Sequence, residues 1–268
     1  MFVCTLGDQT LDVIVRLSGP MAAGGDTDAS IGVGPGGQGA NVAAWAATLG
    51  ASARSIGKRG ADDAGRLVRA GLEARGVEVS GPEEGRNGVI CSLVSPDGAR
   101  SMAADRSVSV DLRPEEIEAA WLEGCDHLFV SGYALLREPA RSAAFHAAGL
   151  ARKAGAVISV DLSTWSAIRD AGAGDVRKAV ARLVPDAVFA NEEEERIVGG
   201  PFPGATRILK RGASGASFDG DERPAVPVER VVDSTGAGDA LAAGWIVGGP
   251  ELALEAAARC VARIGSMP

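Results

Sequence analysis

Asp233-Ser234-Thr235-Gly236-Ala237-Gly238-Asp239 sets a carboxylate at the end of a glycine-rich turn, just before the apolar run Ala240-Leu241-Ala242-Ala243-Gly244-Trp245. Gly236, Ala237 and Gly238 are small enough to bring backbone against a ligand. The turn opens what reads as a helix, whose first N–H groups lack intrahelical acceptors and attract anions. Asp239 then stands among amides suited to phosphate. An acid beside an anion hole is costly to keep unless it handles a proton. The combination points to phosphoryl transfer onto a hydroxyl, with Asp239 as base and Gly236, Ala237 and Gly238 as charge-stabilising donors. The simpler alternative is a glycine-rich turn whose Asp caps a helix.

A second segment, Gly36-Gly37-Gln38-Gly39-Ala40-Asn41, leads into the apolar stretch Val42-Ala43-Ala44-Trp45. Gly36 and Gly37 let backbone N–H groups approach hydroxyls with no Cβ in the way. The Asn41 amide can both donate to and accept from a hydroxyl. With both segments in order, the chain resembles the ribokinase family of carbohydrate kinases, also called the PfkB family. Its members usually carry Gly-Gly-x-Gly/Ala-Ala-Asn early and Asp-Thr-x-Gly-Ala-Gly-Asp late.

The resemblance implies a ribokinase-like α/β fold, a three-layer α/β/α sandwich with a mainly parallel central sheet and a small β-sheet lid. It implies ATP and Mg2+, and a primary hydroxyl of a sugar or sugar-like molecule as acceptor. Asp12, Gly36, Gly37 and Asn41 become acceptor contacts. Asn191 and Glu194, from Asn191-Glu192-Glu193-Glu194-Glu195, become the pair near the magnesium waters and nucleotide phosphates; residues at i and i+3 share a helix face, and magnesium keeps most of its waters. Four consecutive acids are otherwise a solvated helix start. Lys210, Gly212 and Gly215 become nucleotide contacts, with a plain hairpin turn as the alternative. Gln38 stands where ribokinases often have Lys, which argues against ribose in particular. Arg263 and Gly265 fall where some relatives bind a monovalent cation, so K+ joins the cofactor candidates. A nucleoside kinase of the same family is the alternative activity, although Tyr133 is the only tyrosine available as a platform for a base; a non-catalytic sugar- or nucleotide-binding relative is another.

These residues need elements to hold them. Phe2 to Leu6, Asp12 to Leu17, Ser30 to Val33, and Asn87 to Val94 with Arg100 to Ala104 as its hairpin partner read as strands. They do not alternate with helices and suit a small sheet standing apart; segments 10–17, 28–34 and 87–105 are the lid candidates. From residue 115 short β-rich runs (128–131, 157–161, 187–190, 207–210) alternate with alanine-rich helices near 139–154 and 174–184. That alternation predicts βαβ units and a parallel sheet covered on both faces. One domain over residues 1–268 follows.

Other motifs are set aside. Gly32-Val33-Gly34-Pro35-Gly36-Gly37 fits Gly-x-Gly-x-x-Gly but lacks the acid about 20 residues on that a dinucleotide site needs. Gly57-Lys58 has Arg59 in place of the Ser/Thr of a P-loop. His127 and His146 read as structural. Asp62 and Asp63 read as a helix cap, and Asp105-Arg106 as a surface ion pair, with a place at the lid edge near substrate as the alternative.

The totals agree with a globular enzyme. The chain is 46% hydrophobic and 23% charged, with net charge −8. Nucleic acid and anionic membrane are therefore not expected partners. The four cysteines show no Cys-x-x-Cys pair, against zinc or a disulfide framework; Cys4, Cys91 and Cys260 read as core thiols. With no secretory leader and no apolar run near ~20 residues, the expectation is a cytoplasmic protein. Its partner is a small sugar or nucleoside, and unpaired lid edges suit a homodimer.

Overall fold

The computed structural model describes residues 1–97 and 100–268. In chain order it begins β1 (Phe2–Leu6), β2 (Thr10–Leu17), β3 (Ala29–Gly36) and α1 (Gln38–Thr48). There follow β4 (Ser52–Ile56), α2 (Asp63–Glu73), β5 (Val77–Ser80), β6 (Val89–Val94) and β7 (Arg100–Asp105). The alternating half holds β8 (His127–Ser131), α3 (Ala140–Lys153), β9 (Val157–Asp161), α4 (Trp165–Ala171), α5 (Ala173–Leu183), β10 (Ala187–Asn191) and α6 (Glu192–Ile197). The chain closes with β11 (Thr206–Lys210), β12 (Ala216–Phe218), β13 (Asp221–Arg223) and α7 (Ala237–Val261).

Nine strands form the main sheet in the order β13-β12-β11-β10-β9-β8-β1-β4-β5. It is parallel from β11 to β5, and β12 and β13 add an antiparallel edge. Strand alternation divides the core. Leu128, Val130, Ile158 and Val160 face α3 and α5, while Phe129, Phe189 and Ile208 face α1 and α7. The alanine-rich helices let this packing close: Ala143, Ala144 and Ala147 of α3 are completely buried, as are Ala43 and Ala44 of α1 and Ala242 and Ala243 of α7. Burying both faces of each parallel strand makes these runs continuously apolar.

The second sheet, in the order β3-β2-β6-β7, is built from Thr10–Leu17, Ala29–Gly36, Val89–Val94 and Arg100–Asp105. β6 and β7 pair antiparallel, from Val94 opposite Arg100 to Val89 opposite Asp105. The turn expected at Ser95-Pro96-Asp97-Gly98 reaches into residues outside those described. Phe2–Leu6 corrects one expectation: it lies in the main sheet between β8 and β4. The two strands beyond it, β4 and β5, escaped the sequence reading, because Ser-Ala-Arg-Ser-Ile and Val-Glu-Val-Ser look polar. Arg54 and Glu78, in register across that pair, satisfy each other with an ion pair.

Connections run outward on both sides of β1, so the strand order reverses between β1 and β8. In open α/β sheets ligands bind at the carboxyl ends of strands at such a switch point. Asp8, Tyr133, Asp161, Asn191 and Lys210 all sit at or just past carboxyl ends of sheet strands.

Candidate active site

α7 starts on Gly236, whose φ of +78° is left-handed, and no side chain caps the helix. A Cβ on Gly236 would stand 2.5 Å from the Cα of Ser266, so only glycine fits. Asp233 buckles the turn. One carboxylate oxygen accepts from the Thr235 N–H (2.9 Å) and hydroxyl (2.6 Å), the other from the Gly265 N–H at 3.0 Å. Burial works against its charge, yet these bonds and nearby Arg100 hold its carboxyl below the usual range. The result is a helix N-terminus with a fixed approach, whose first N–H groups lack intrahelical acceptors; that of Ala237 bonds the Ser234 carbonyl at 3.4 Å.

Asp239 lies in the first turn of that helix. Its Oδ2 accepts a 2.7 Å hydrogen bond from the Asn41 amide, and the Asn41 oxygen in turn accepts from the Ser266 hydroxyl at 3.0 Å. Ser266 is itself held, because its carbonyl accepts from the Trp45 ring N–H at 2.8 Å. Gln38 also acts on Asp239: its oxygen accepts from the Ser131 and Ser163 hydroxyls, each at 2.6 Å, leaving the amide as a donor. Burial pushes the Asp239 carboxyl up to about 7; Asn41, Lys210 and Gln38 pull against that rise and Asp161 adds to it.

Lys210 passes under the turn, and a Cβ on Gly238 would lie 3.4 Å from its Cδ. Its Nζ donates to both oxygens of Asp161 at 2.8 Å and is 3.8 Å from Glu194. Burial disfavours the ammonium, but Asp161 and Glu194 outweigh it and hold the group above an ordinary lysine. Asn191 and Glu194 form a capping box at the start of α6, each side chain bonded to the other's backbone N–H at 2.8 Å.

In front of Asp239 opens a cleft of about 740 Å³, roofed by the small sheet through Asp12, Ile90, Met102 and Ala104. Asp12 accepts from the Thr10 hydroxyl at 3.0 Å, and burial pushes its carboxyl up to about 6. Asp8 is 5% exposed and ion-pairs with Arg106 through Oδ2, while its buried Oδ1 has no hydrogen-bond partner among the described residues. The Arg106 guanidinium lies flat on Tyr133, 3.8 Å from the ring centroid. The cleft thus gathers acceptors for hydroxyls, a buried carboxyl pushed up to about 7 and an anion-attracting helix end.

The model of the pfkB family carbohydrate kinases matches residues 2–267. The chain belongs to the PfkB family of carbohydrate kinases. Among its relatives is an ATP-dependent ribose-1-phosphate kinase of Halopiger xanaduensis, 34% identical over 96% of this chain and 90% of that one. The fructokinase of Escherichia coli is 28% identical over 92% of this chain and 83% of that one. Two solved structures cover 99% of the chain. An adenosine kinase from Sinorhizobium meliloti has a TM-score of 0.86 at 24% identity, over 95% of its own length. A putative ribokinase II from E. coli in complex with ATP and Mg2+ has a TM-score of 0.84 at 23%, over 94%. At such identities these two establish the fold.

Within this PfkB kinase the structure brings Asp12, Gly37, Asn41, Gly236 and Asp239 to one cleft. It gives some of them other work. Gly36 makes room for the Asp12 carboxyl, which a Cβ would strike at 2.0 Å, and Gly37 (φ +98°) lies against the Asp8 carbonyl. Asn41 is committed to Asp239 and Ser266. Lys210 is spent on Asp161, so it supplies charge from below rather than a free ammonium. Gly212 and Gly215 belong to the β11–β12 connection and do not line this cleft; a Cβ on Gly215 would strike the Arg223 carbonyl at 2.0 Å.

Arg106 corrects another expectation: it pairs with Asp8 across the cleft, while Asp105 pairs with Arg86. Cys91 lies in the small sheet, half-buried, whereas Cys4, Cys125 and Cys260 are buried thiols. Gly32–Gly37 forms strand and helix entry, Lys58 is buried between Glu84 and Glu116, and Asp62 caps α2. Glu195 is only 13% exposed and pairs with Arg207, so it is less a surface residue than expected. His127 is buried, 2.8 Å from the Ser159 hydroxyl, and His146 is exposed. Asp8, Gln38 and Ser266 are residues of this cleft that the sequence reading gave no site role, and Arg106 stands on the lid-edge alternative to the surface pair. For Asp8 a signal existed, since it directly follows the first buried strand.

Proposed function

We propose that this kinase transfers the γ-phosphoryl of ATP to a primary hydroxyl of a sugar, with Asp239 as general base. The observation that carries the reading is the Asp239 carboxylate, held by Asn41 at 2.7 Å at the uncapped start of α7. The acceptor lies under the small sheet, its hydroxyls meeting Asp12 and the partnerless Oδ1 of Asp8, with Gly37 alongside. Asp239 takes the proton of the attacking hydroxyl while the Gly236, Ala237 and Gly238 N–H groups face the charge on the transferring phosphoryl. Lys210 beneath Gly238 adds positive potential without moving. Positioning and fixed dipoles account for most of the acceleration.

Among the described residues no three acids, histidines or cysteines converge as a metal cage. The donor set fits Mg2+ that arrives with ATP and keeps its waters, with Asn191 and Glu194 behind them, where it would neutralise phosphate charge. A nucleoside acceptor is less favoured, because the Tyr133 face that a base would stack on is covered by Arg106. Among the described residues no helix is long and apolar enough to cross a membrane. A homodimer is supported by Ile31 and Val33, 63% and 59% exposed on β3 at the edge of the small sheet.

The test is ADP release with ATP and Mg2+ across pentoses, hexoses, their phosphates, sugar acids and nucleosides, with Asp239→Asn in parallel and K+ exchanged for Na+. Turnover on a sugar that collapses in the variant supports the reading. A variant as active as its parent removes Asp239 as base, and a preference for nucleosides replaces the acceptor class.

A further inference from the structure

The relatives act on acceptors of different charge, and one charged side chain of the cleft bears on which this chain takes. Three arginines line it: Arg100, Arg106 and Arg137. Arg100 is answered by Thr235 and Asp233, and Arg106 by Asp8. Of the four lining acids, Asp8 is answered by Arg106 and Asp170 by its neighbour Arg169 at 2.8 Å, while Asp12 and Asp239 accept from the neutral donors Thr10 and Asn41. Arg137 alone among the three has no acceptor among the described residues. Its presentation is nonetheless built. It follows the short 3-10 turn Gly132–Leu135 at the end of β8, and Leu135 is completely buried. Arg141 ties that turn down by donating to the Leu135 and Leu136 carbonyls at 2.7 and 2.6 Å. The Arg141 N–H bonds the Arg137 carbonyl at 3.0 Å. A fixed backbone thus holds an exposed arginine, with no acceptor among the described residues, at the wall of the acceptor cleft of a protein whose net charge is −8.

We propose that the acceptor is an anionic sugar, carrying a phosphate or carboxylate apart from its reacting hydroxyl, and that Arg137 receives this group. The proposal rests on the sugar-kinase reading above. Guanidinium is suited to the task because its planar fork meets the paired oxygens of phosphate or carboxylate. Arg106, over the Tyr133 ring, neutralises Asp8 and so keeps the anion from facing that carboxylate unscreened. Arg137 is therefore a specificity-determining residue. A neutral sugar leaves its charge unanswered, and an anionic one completes it.

The experiment compares a free pentose, its 1-phosphate and the corresponding aldonic acid by kcat/KM, in the parent and in Arg137→Ala and Arg137→Lys. One anionic arm should exceed the free pentose by about 100-fold or more; which arm does so separates phosphate from carboxylate. Arg137→Ala should shrink that preference at least tenfold, mainly through KM, and Arg137→Lys should restore part of it. The second readout is calorimetric binding of the same three compounds to Asp239→Asn, with and without Arg137→Ala. Kd for the preferred anion should weaken at least tenfold on adding Arg137→Ala. A free pentose preferred over both anions, or an anion preference and Kd unmoved by Arg137→Ala, overturns the proposal. Full turnover by Asp239→Asn would instead defeat the base assignment, leaving the Arg137 titration readable.

Discussion

Replacing Asp239 by Asn should abolish two things together, the rate and its pH dependence. Burial pushes the carboxyl up to about 7 against the pull of Asn41, Lys210 and Gln38. Only its ionised form accepts a proton, so about a tenth of the enzyme is competent at pH 6 and about nine-tenths at pH 8. The parent's kcat/KM should climb about tenfold between pH 5 and 6 and level off above 7. Asp239→Asn should lose about 10²–10⁴-fold and show no such limb, while ATP still binds. Asn41→Leu removes the 2.7 Å bond that favours the carboxylate, so its limb should move to higher pH. Stability gives an independent readout. The folded-state pKa lies above the unfolded one, so ionising Asp239 costs stability increasingly as pH rises from about 4 through 7. Asp239→Asn should therefore melt above its parent at pH 8 and lose that advantage toward pH 4. A flat parent profile, or a variant within tenfold of its parent, would refute the assignment.

Three further outcomes are expected. Lys210→Met strands Asp161, which is 0% exposed and takes both its 2.8 Å bonds from Lys210; the fold should lose about 3–5 kcal/mol in urea unfolding, and the kinase pH limb should shift upward as a nearby positive charge disappears. Gly236→Ala forces a Cβ against Ser266 at φ +78°, which should cost about 1–3 kcal/mol and weaken ATP binding; thermal melts with and without ATP report both. Asp12→Asn should raise the acceptor KM at least tenfold and leave the ATP KM within about twofold, since Asp12 faces the roofed end of the cleft.

The two glycine segments were legible because each is local: a small-residue turn, a carboxylate and an apolar helix within a dozen positions. The parallel half of the sheet was legible for the same reason, strand and helix alternating in short apolar runs. What escaped was pairing at long range. Nothing near Asp8 announces Arg106, 98 positions away, and nothing near Asn41 announces Asp239, 198 positions away. Lys210 read as a nucleotide contact, and nothing near it in sequence announces its two acids, Asp161 at the end of β9 and Glu194 in α6. One local signal went unused. Asn191 and Glu194 have the spacing of a capping box, and the structure shows that box closed. Polar edge strands such as Ser52–Ile56 were invisible because cross-strand ion pairing, not apolar alternation, satisfies their side chains.

The central claim is phosphoryl transfer from ATP to a sugar hydroxyl under the control of Asp239. Phosphorus NMR of the enzyme with ATP, Mg2+ and the acceptor panel tests it most directly. The account predicts a new sugar phosphomonoester growing in step with ADP, absent with Asp239→Asn. ADP and inorganic phosphate alone, or no turnover on any acceptor while ATP binds, would contradict it.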